Sequence, residues 1–311
     1  MALLAVAVGI FLLLKGGDWL MRAAVSLSLR FSIPKIVIGM TVVSFATSAP
    51  ELIVSVQSAL SGHPDLALGN VVGSNIANLG FVLAITIMIS PIDVTSSFYK
   101  TDWPMMIFSS LLFYFFLVQD NKLVAYEGAI LFILLLCFLV YLIKFQKENV
   151  LEDAPKDEDA MEIPQTITYL ILGAGSLWLG SETLIKGAVN LAQNLGVSER
   201  IISLSIISVG TSIPELSASI IAIINKEKAI SLGNLIGSNI FNILAVMGIT
   251  ALIHPVAIQD TGILSNDIWW MLGISFLILP LVFFPKDTRL GWIDGLILIT
   301  IYGIFIFPLF V

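Results

Sequence analysis

The sequence predicts an all-α, polytopic membrane protein with ten transmembrane helices arranged as two inverted five-helix repeats. Three observations predict it. Of the 311 residues, 58% are hydrophobic and 12% charged, against about 25% charged in an ordinary soluble domain. The mean hydropathy of +1.00 leaves too few polar residues to cover a soluble surface. Apolar runs of bilayer length recur along the chain, at about 20 residues per span, and the second half repeats the motifs of the first.

The runs are read in order. The first, 2–28, is broken only at Lys15-Gly-Gly-Asp18. It lacks a basic leading segment and therefore reads as a span, not a cleaved signal. The second, 35–60, carries Pro50-Glu51 near its middle, and the third, 66–90, carries Gly69-Asn70 and Gly73-Ser74-Asn75. Runs 103–119 and 123–144 are apolar and flank a polar break. Segment 145–163 is an acidic linker; together with Lys144 it contains seven acidic residues and three lysines. It divides the chain into 1–144 and 164–311 and is expected to be solvated. The second half follows with 165–193, 200–224, 229–253, 268–284 and 291–310. Loops after odd-numbered spans hold eleven Lys and Arg, including Arg30, Lys35 and Lys144, against Lys122, Lys186 and Arg200 on the other side. The positive-inside rule then puts the linker in the cytoplasm of a cell-membrane protein, with both termini outside.

Other classes are excluded. A net charge of −7 offers no basic face for nucleic acid. The single Cys137 excludes intrachain disulfides and cysteine metal sites. Only His63 and His254 are available as imidazoles, and neither lies in a metalloprotease motif. No enzyme and no cofactor is expected; the partners are ions and the lipid bilayer, and the chain is read as a monomer.

Self-similarity is the strongest signal. Thr47-Ser48-Ala49-Pro50-Glu51-Leu52 returns as Thr211-Ser212-Ile213-Pro214-Glu215-Leu216, 164 residues later. Gly69-Asn70 and Gly73-Ser74-Asn75 with Asn78 return at the same offset as Gly233-Asn234 and Gly237-Ser238-Asn239 with Asn242, and 15 of 35 positions between 44 and 78 are identical. Five spans per half is an odd number, so two copies in tandem insert with opposite orientation, a build common in secondary transporters. Asp18 and Arg22 map onto Glu182 and Lys186 at this offset and read as helix-end ion pairs.

Glu51 and Glu215 are carboxylates at membrane depth, where a charge costs several kcal/mol and marks a functional site by default. Ser44, Thr47, Ser48, Glu51 and Ser55 share one helical face, as do Ser208, Thr211, Ser212, Glu215 and Ser219. Ser74 and Asn78, and Ser238 and Asn242, are i,i+4 pairs on the next spans. Pro50 and Pro214 leave the carbonyls of Ala46 and Gly210 without their helical donors. All these donors are oxygens, which suit Na⁺, Ca²⁺ or Mg²⁺. Small and hydroxyl residues also allow close helix packing, but two copies in register favour an ion site.

These motifs resemble the cation/Ca²⁺ exchanger superfamily, and within it the prokaryotic-type Na⁺/Ca²⁺ exchanger branch with its two α-repeats. The resemblance covers both halves. It implies cation ligands at Ser44, Thr47, Ser48, Glu51, Ser74 and Asn78, and at Ser208, Thr211, Ser212, Glu215, Ser238 and Asn242. It also implies Ca²⁺ coordination by the Glu51 and Glu215 side chains with the Thr47 and Thr211 carbonyls. Some members carry aspartate at the position of Asn242, and small apolar residues are common at those of Ser44 and Ser208. The expected function is Na⁺/Ca²⁺ antiport by alternating access, with the long first spans of each half sliding across the rest. H⁺/Ca²⁺ or K⁺-dependent Na⁺/Ca²⁺ antiport and, more distantly, a cation channel are the alternatives.

Overall fold

Helices dominate the computed structural model, which describes residues 2–145, 160–194, 210–284 and 288–309. In chain order they are α1 (Ala2–Phe31), α2 (Lys35–Thr47), α3 (Ala49–Leu60), α4 (Pro64–Ile89), α5 (Phe98–Asp120), α6 (Ala125–Phe145), α7 (Ile163–Asn194), α8 (Ile213–Ile224), α9 (Lys228–Ile253), α10 (Ile263–Phe283) and α11 (Trp292–Ile306). Six of them (α1, α4, α5, α6, α9 and α10) are long and apolar enough to cross a membrane, and α2 with α3 makes a seventh if the pair is one span. Helix α7 falls on run 165–193, α8 on the second part of run 200–224 and α11 on run 291–310. Residues 195–209 and 146–159, the latter most of the acidic linker, lie outside the described residues. Large apolar side chains such as Leu4, Phe11, Phe115 and Ile133 stay exposed along α1, α5 and α6, as lipid permits. The chain is an integral multi-pass membrane protein.

Prolines and short polar residues set the helix ends. Pro64 opens α4 within its first turn, where its missing N–H costs nothing. Asn121 ends α5 in the left-handed region at φ 54, which asparagine tolerates. Among the described residues, five stretches widen into π-turns: Gly39–Val43, Asn78–Leu83, Phe98–Asp102, Asn242–Met247 and Ile263–Asp267. Those starting at Asn78 and Asn242 occupy equivalent places in the two halves.

The helices group into two compact units, each with stretches from both halves of the chain. The first comprises Met1–Thr47, Leu142–Asn234 and Ile306–Val311. Its core includes Leu20, Met21, Val43, Leu177, Ala218 and Ile230. Here α1 and α7 run antiparallel in backbone contact, because glycines line the seam. A Cβ on Gly9 would reach the Leu184 nitrogen at 2.7 Å, and one on Gly173 the Leu20 nitrogen at 2.8 Å. Gly16 meets Leu177 and Gly180 meets Leu13 in the same manner. Each contact is the mirror of another, with both members moved by 164 residues.

The second unit comprises Ser48–Tyr141 and Leu235–Phe305. Two small antiparallel ladders show the same reciprocity. Strand β1 (Ile92–Asp93) pairs with β4 (Arg289–Leu290), and β2 (Lys122–Leu123) pairs with β3 (Val256–Ala257). Ile92 lies opposite Leu290, and Val256 opposite Leu123. Gly128 packs on the Gly248 carbonyl while Gly295 packs on that of Ala84. Glu127 and Asp294 serve as helix-end caps, accepting from the N–H of Val124 at 2.9 Å and of Gly291 at 2.7 Å.

Candidate functional site

The two Pro-Glu motifs fold alike because proline cannot continue the preceding helix. Helix α2 ends at Thr47, Ser48 takes φ −86 and ψ 2, and α3 begins with Pro50 in its first turn. At the equivalent place Ser212 takes φ −88 and ψ 5, and α8 begins with Pro214. Both serines occupy the sparsely allowed bridge region. The span is therefore broken at the motif, a larger effect than a kink in a continuous helix. Glu51 and Glu215 each fall in the first turn of the new helix, at 0% exposure, where the helix dipole favours a carboxylate.

In the second unit, α4 runs beside α3. Asn70 Nδ2 donates to the Glu51 backbone carbonyl at 3.2 Å and to Ser55 Oγ at 3.0 Å. This bracing ties the first turn of α3 to α4. Ser74 and Asn78 on α4, and Ser238 and Asn242 on α9, are buried in the same unit. Asn75 Nδ2 donates to the Asn239 carbonyl at 3.2 Å and Asn239 Nδ2 to the Asn75 carbonyl at 3.3 Å. Asn242 Nδ2 donates to Asn75 Oδ1 at 3.0 Å, and Asn78 Nδ2 to Asn239 Oδ1 at 3.2 Å. The side-chain oxygens of Asn78 and Asn242 are buried and accept no hydrogen bond from any described residue.

In the first unit, Asn234 repeats the role of Asn70: its Nδ2 donates to Ser219 Oγ at 3.3 Å. It also receives the Thr47 hydroxyl on Oδ1 at 3.2 Å and the Ser44 hydroxyl on its carbonyl at 2.9 Å. Ser44 also reaches the Gly39 carbonyl at 2.9 Å. A hydroxyl that spends its hydrogen on a carbonyl still has two lone pairs for a cation. The Ser212 hydroxyl is buried and has no hydrogen-bond partner among the described residues; Thr211 beside it is half-buried. Ser208 lies outside the described residues.

The sequence-predicted residues thus cluster in two places. Ser44, Thr47, Ser212 and Glu215 belong to the first unit, and Ser48, Glu51, Ser74, Asn78, Ser238 and Asn242 to the second. Four further asparagines, Asn70, Asn75, Asn234 and Asn239, hold the clusters together. They stand in the repeated motifs; Asn70 bonds within its own half, while Asn75, Asn234 and Asn239 bond across the two halves, where no spacing rule exposes it. The Asp18–Arg22 and Glu182–Lys186 pairs form at 3.1 and 2.7 Å on exposed faces of α1 and α7, as helix-surface pairs. Chemically, each cluster contains one buried glutamate together with hydroxyl and amide oxygens. That donor set suits hard cations.

Comparisons with known proteins identify the family. The family model described as sodium/calcium exchanger protein matches residues 1–144 and 166–311. The chain is 37% identical over 305 residues to the putative antiporter CaxA of Alkalimonas amylolytica, covering 96% of this chain and 95% of that protein. It is 27% identical to the sodium/calcium exchanger MaX1 of Methanosarcina acetivorans, over 99% of this chain and 98% of the other. Among solved structures, the sodium-calcium exchanger NCX_Mj soaked without Na⁺ and Ca²⁺ superposes with a TM-score of 0.83 at 26% identity, covering 99% and 98% of the two chains.

Proposed function

The chain belongs to the sodium/calcium exchanger protein family, and from that membership we propose that it is a secondary antiporter exchanging Na⁺ for Ca²⁺ by alternating access. The carboxylates of Glu51 and Glu215 are the charged ligands of the transported cations. Hydroxyl and amide oxygens of Ser44, Thr47, Ser48, Ser74 and Asn78, and of Ser208, Thr211, Ser212, Ser238 and Asn242, supply neutral donors, with the Thr47 and Thr211 carbonyls. The proposed architecture is ten spans in two inverted five-helix repeats, with the linker cytoplasmic and both termini outside. The reciprocal α1–α7 seam and the paired ladders support it, since contacts that map onto themselves after exchange of the halves are those of a two-fold arrangement.

One observation carries the functional reading. Two fully buried glutamates occupy the same first-turn position after the same break, at Ser48 and Ser212. Buried anions are retained at membrane depth only with compensating charge. Two carboxylates are neutralised by one Ca²⁺ or by two Na⁺, so the ions compete for the same oxygens. A loaded carrier crosses its apolar barrier at far lower cost than an empty one, which couples the two fluxes. Exchange of more than two Na⁺ per Ca²⁺ makes the cycle electrogenic. The number of hydroxyl and carbonyl donors favours Na⁺ over H⁺ as counter-ion, because a proton needs only the carboxylate.

The test is ⁴⁵Ca²⁺ uptake into proteoliposomes with Na⁺, K⁺ and H⁺ gradients imposed separately. A Na⁺ gradient alone is expected to drive uptake. Uptake driven only by a pH gradient shifts the counter-ion to H⁺, a K⁺ requirement makes it a cotransported ion, and flux without any counter-ion gives a channel.

A further inference from the structure

The asparagine network fixes which end of each ligand amide faces the cation. The Asn239 carbonyl can only accept, so the Asn75 atom facing it at 3.2 Å is Nδ2. The other end of that amide is therefore Oδ1, which also can only accept. The Asn242 atom that meets it at 3.0 Å must then be Nδ2, and Asn242 is left presenting its oxygen. The mirror chain runs from the Asn75 carbonyl through Asn239 at 3.3 Å to Asn78 at 3.2 Å. The remaining donor capacity of Asn75 and Asn239 goes to the sulfurs of Met271 at 3.8 Å and Met106 at 3.9 Å. All four asparagines are buried at 1% exposure or less.

We propose that Asn75 and Asn239 are positioning residues that lock the Asn242 and Asn78 amides with oxygen, and not nitrogen, towards the transported cation. The proposal rests on Asn78 and Asn242 being ligands. Turning either ligand amide over would set oxygen against oxygen at the positioning residue and aim two N–H hydrogens at the cation. Asn78 Oδ1 and Asn242 Oδ1, which accept no hydrogen bond among the described residues, are the oxygens this polarity leaves for the ion. The crossing matters: the positioning residue of each half serves the ligand of the other half.

The experiment is equilibrium ⁴⁵Ca²⁺ binding to the purified full chain in nanodiscs. Asn75→Leu removes both ends of the amide at similar volume and is expected to weaken Ca²⁺ binding about 10–100-fold, the usual range for a group that orients a metal ligand. A carboxylate has an oxygen at either end and needs no orientation. In the Asn242→Asp background, Asn75→Leu should therefore cost less than about threefold, whereas in the Asn78→Asp background the full loss should persist. A packing defect gives the same loss in both backgrounds and overturns the proposal, as does unchanged binding in Asn75→Leu. If Asn75→Leu fails to insert, the mirror cycle, Asn239→Leu with Asn78→Asp as rescuer and Asn242→Asp as control, makes the same measurement. Glu51→Gln separates the two levels. If it binds Ca²⁺ like the unmodified chain, the ligand reading itself fails; if it abolishes binding while the rescue pattern is absent, only the positioning role fails.

Discussion

Helices α4 and α9 carry the same motif 164 residues apart, and the described residues that pack against them differ. On α9, Gly233 lies against backbone: a Cβ there would collide with the Ile36 carbonyl, and one on Gly39 with that of Ile230. Its neighbour Glu227 pairs with Lys35 at 2.8 Å, with side chains only 12% and 18% exposed. On α4, a Cβ on Gly69 or Gly73 would meet no described atom within 4 Å. The position equivalent to Glu227 is His63 and that equivalent to Lys35 is Glu199, which lies outside the described residues. The motif residues are duplicated, and on α9 the described residues also show the backbone seam and the ion pair beside them.

The comparison can be broken most strongly at the glutamates. Glu51→Gln and Glu215→Gln are each expected to abolish Ca²⁺ transport in proteoliposomes while the protein still inserts; full transport in either variant removes that residue from the ligand set. The glycine seam comes next. Gly233→Ala should lower stability by about 1–3 kcal/mol through overpacking. Thermal unfolding in detergent reads the shift, and an unchanged midpoint would remove the close contact of Gly233 with Ile36. Lys35→Met leaves Glu227 as a nearly buried carboxylate without its cation and should cost about 1–2 kcal/mol, discounted from the value for a fully buried pair. Glu227→Gln, which retains a polar group without charge, should cost less. The smallest effect is expected at the exposed pairs: Arg22→Ala and Lys186→Ala should each shift stability by under about 0.5 kcal/mol and by similar amounts.

Much of this was legible in the sequence. Apolar runs located the helices because lipid forces each span to satisfy its own backbone. Pro50 and Pro214 announced a break, and the glutamates stood out because, unlike the repeated pairs Asp18–Arg22 and Glu182–Lys186, they have no opposite charge one helical turn away. What escaped has physical reasons as well. A π-turn adds one residue to a helix without disturbing a uniformly apolar pattern, so the turns at Asn78 and Asn242 leave no periodic trace. Two-residue strands such as β1 and β3 are too short to alternate. The roles of Asn75 and Asn239 depend on partners far away in the chain, and a spacing argument sees only neighbours on the same helix. The packing of Gly233 against Ile36 is likewise invisible in the motif, since it depends on a residue from the other half of the chain.

The crossed asparagines have a consequence for how the polypeptide could be cut. Half of every Asn75–Asn242 and Asn239–Asn78 bond, of both ladders and of the glycine seam comes from before the linker, and half from after it. In thermodynamic terms the chain is a heterodimer written as one molecule, its halves kept at high effective concentration by their covalent connection. A clip within 146–159 severs none of these bonds, so the two fragments should stay associated and fold together when co-expressed. Either fragment alone would expose a glycine seam and orphan its asparagines, and the cell would meet it as an unfinished subunit.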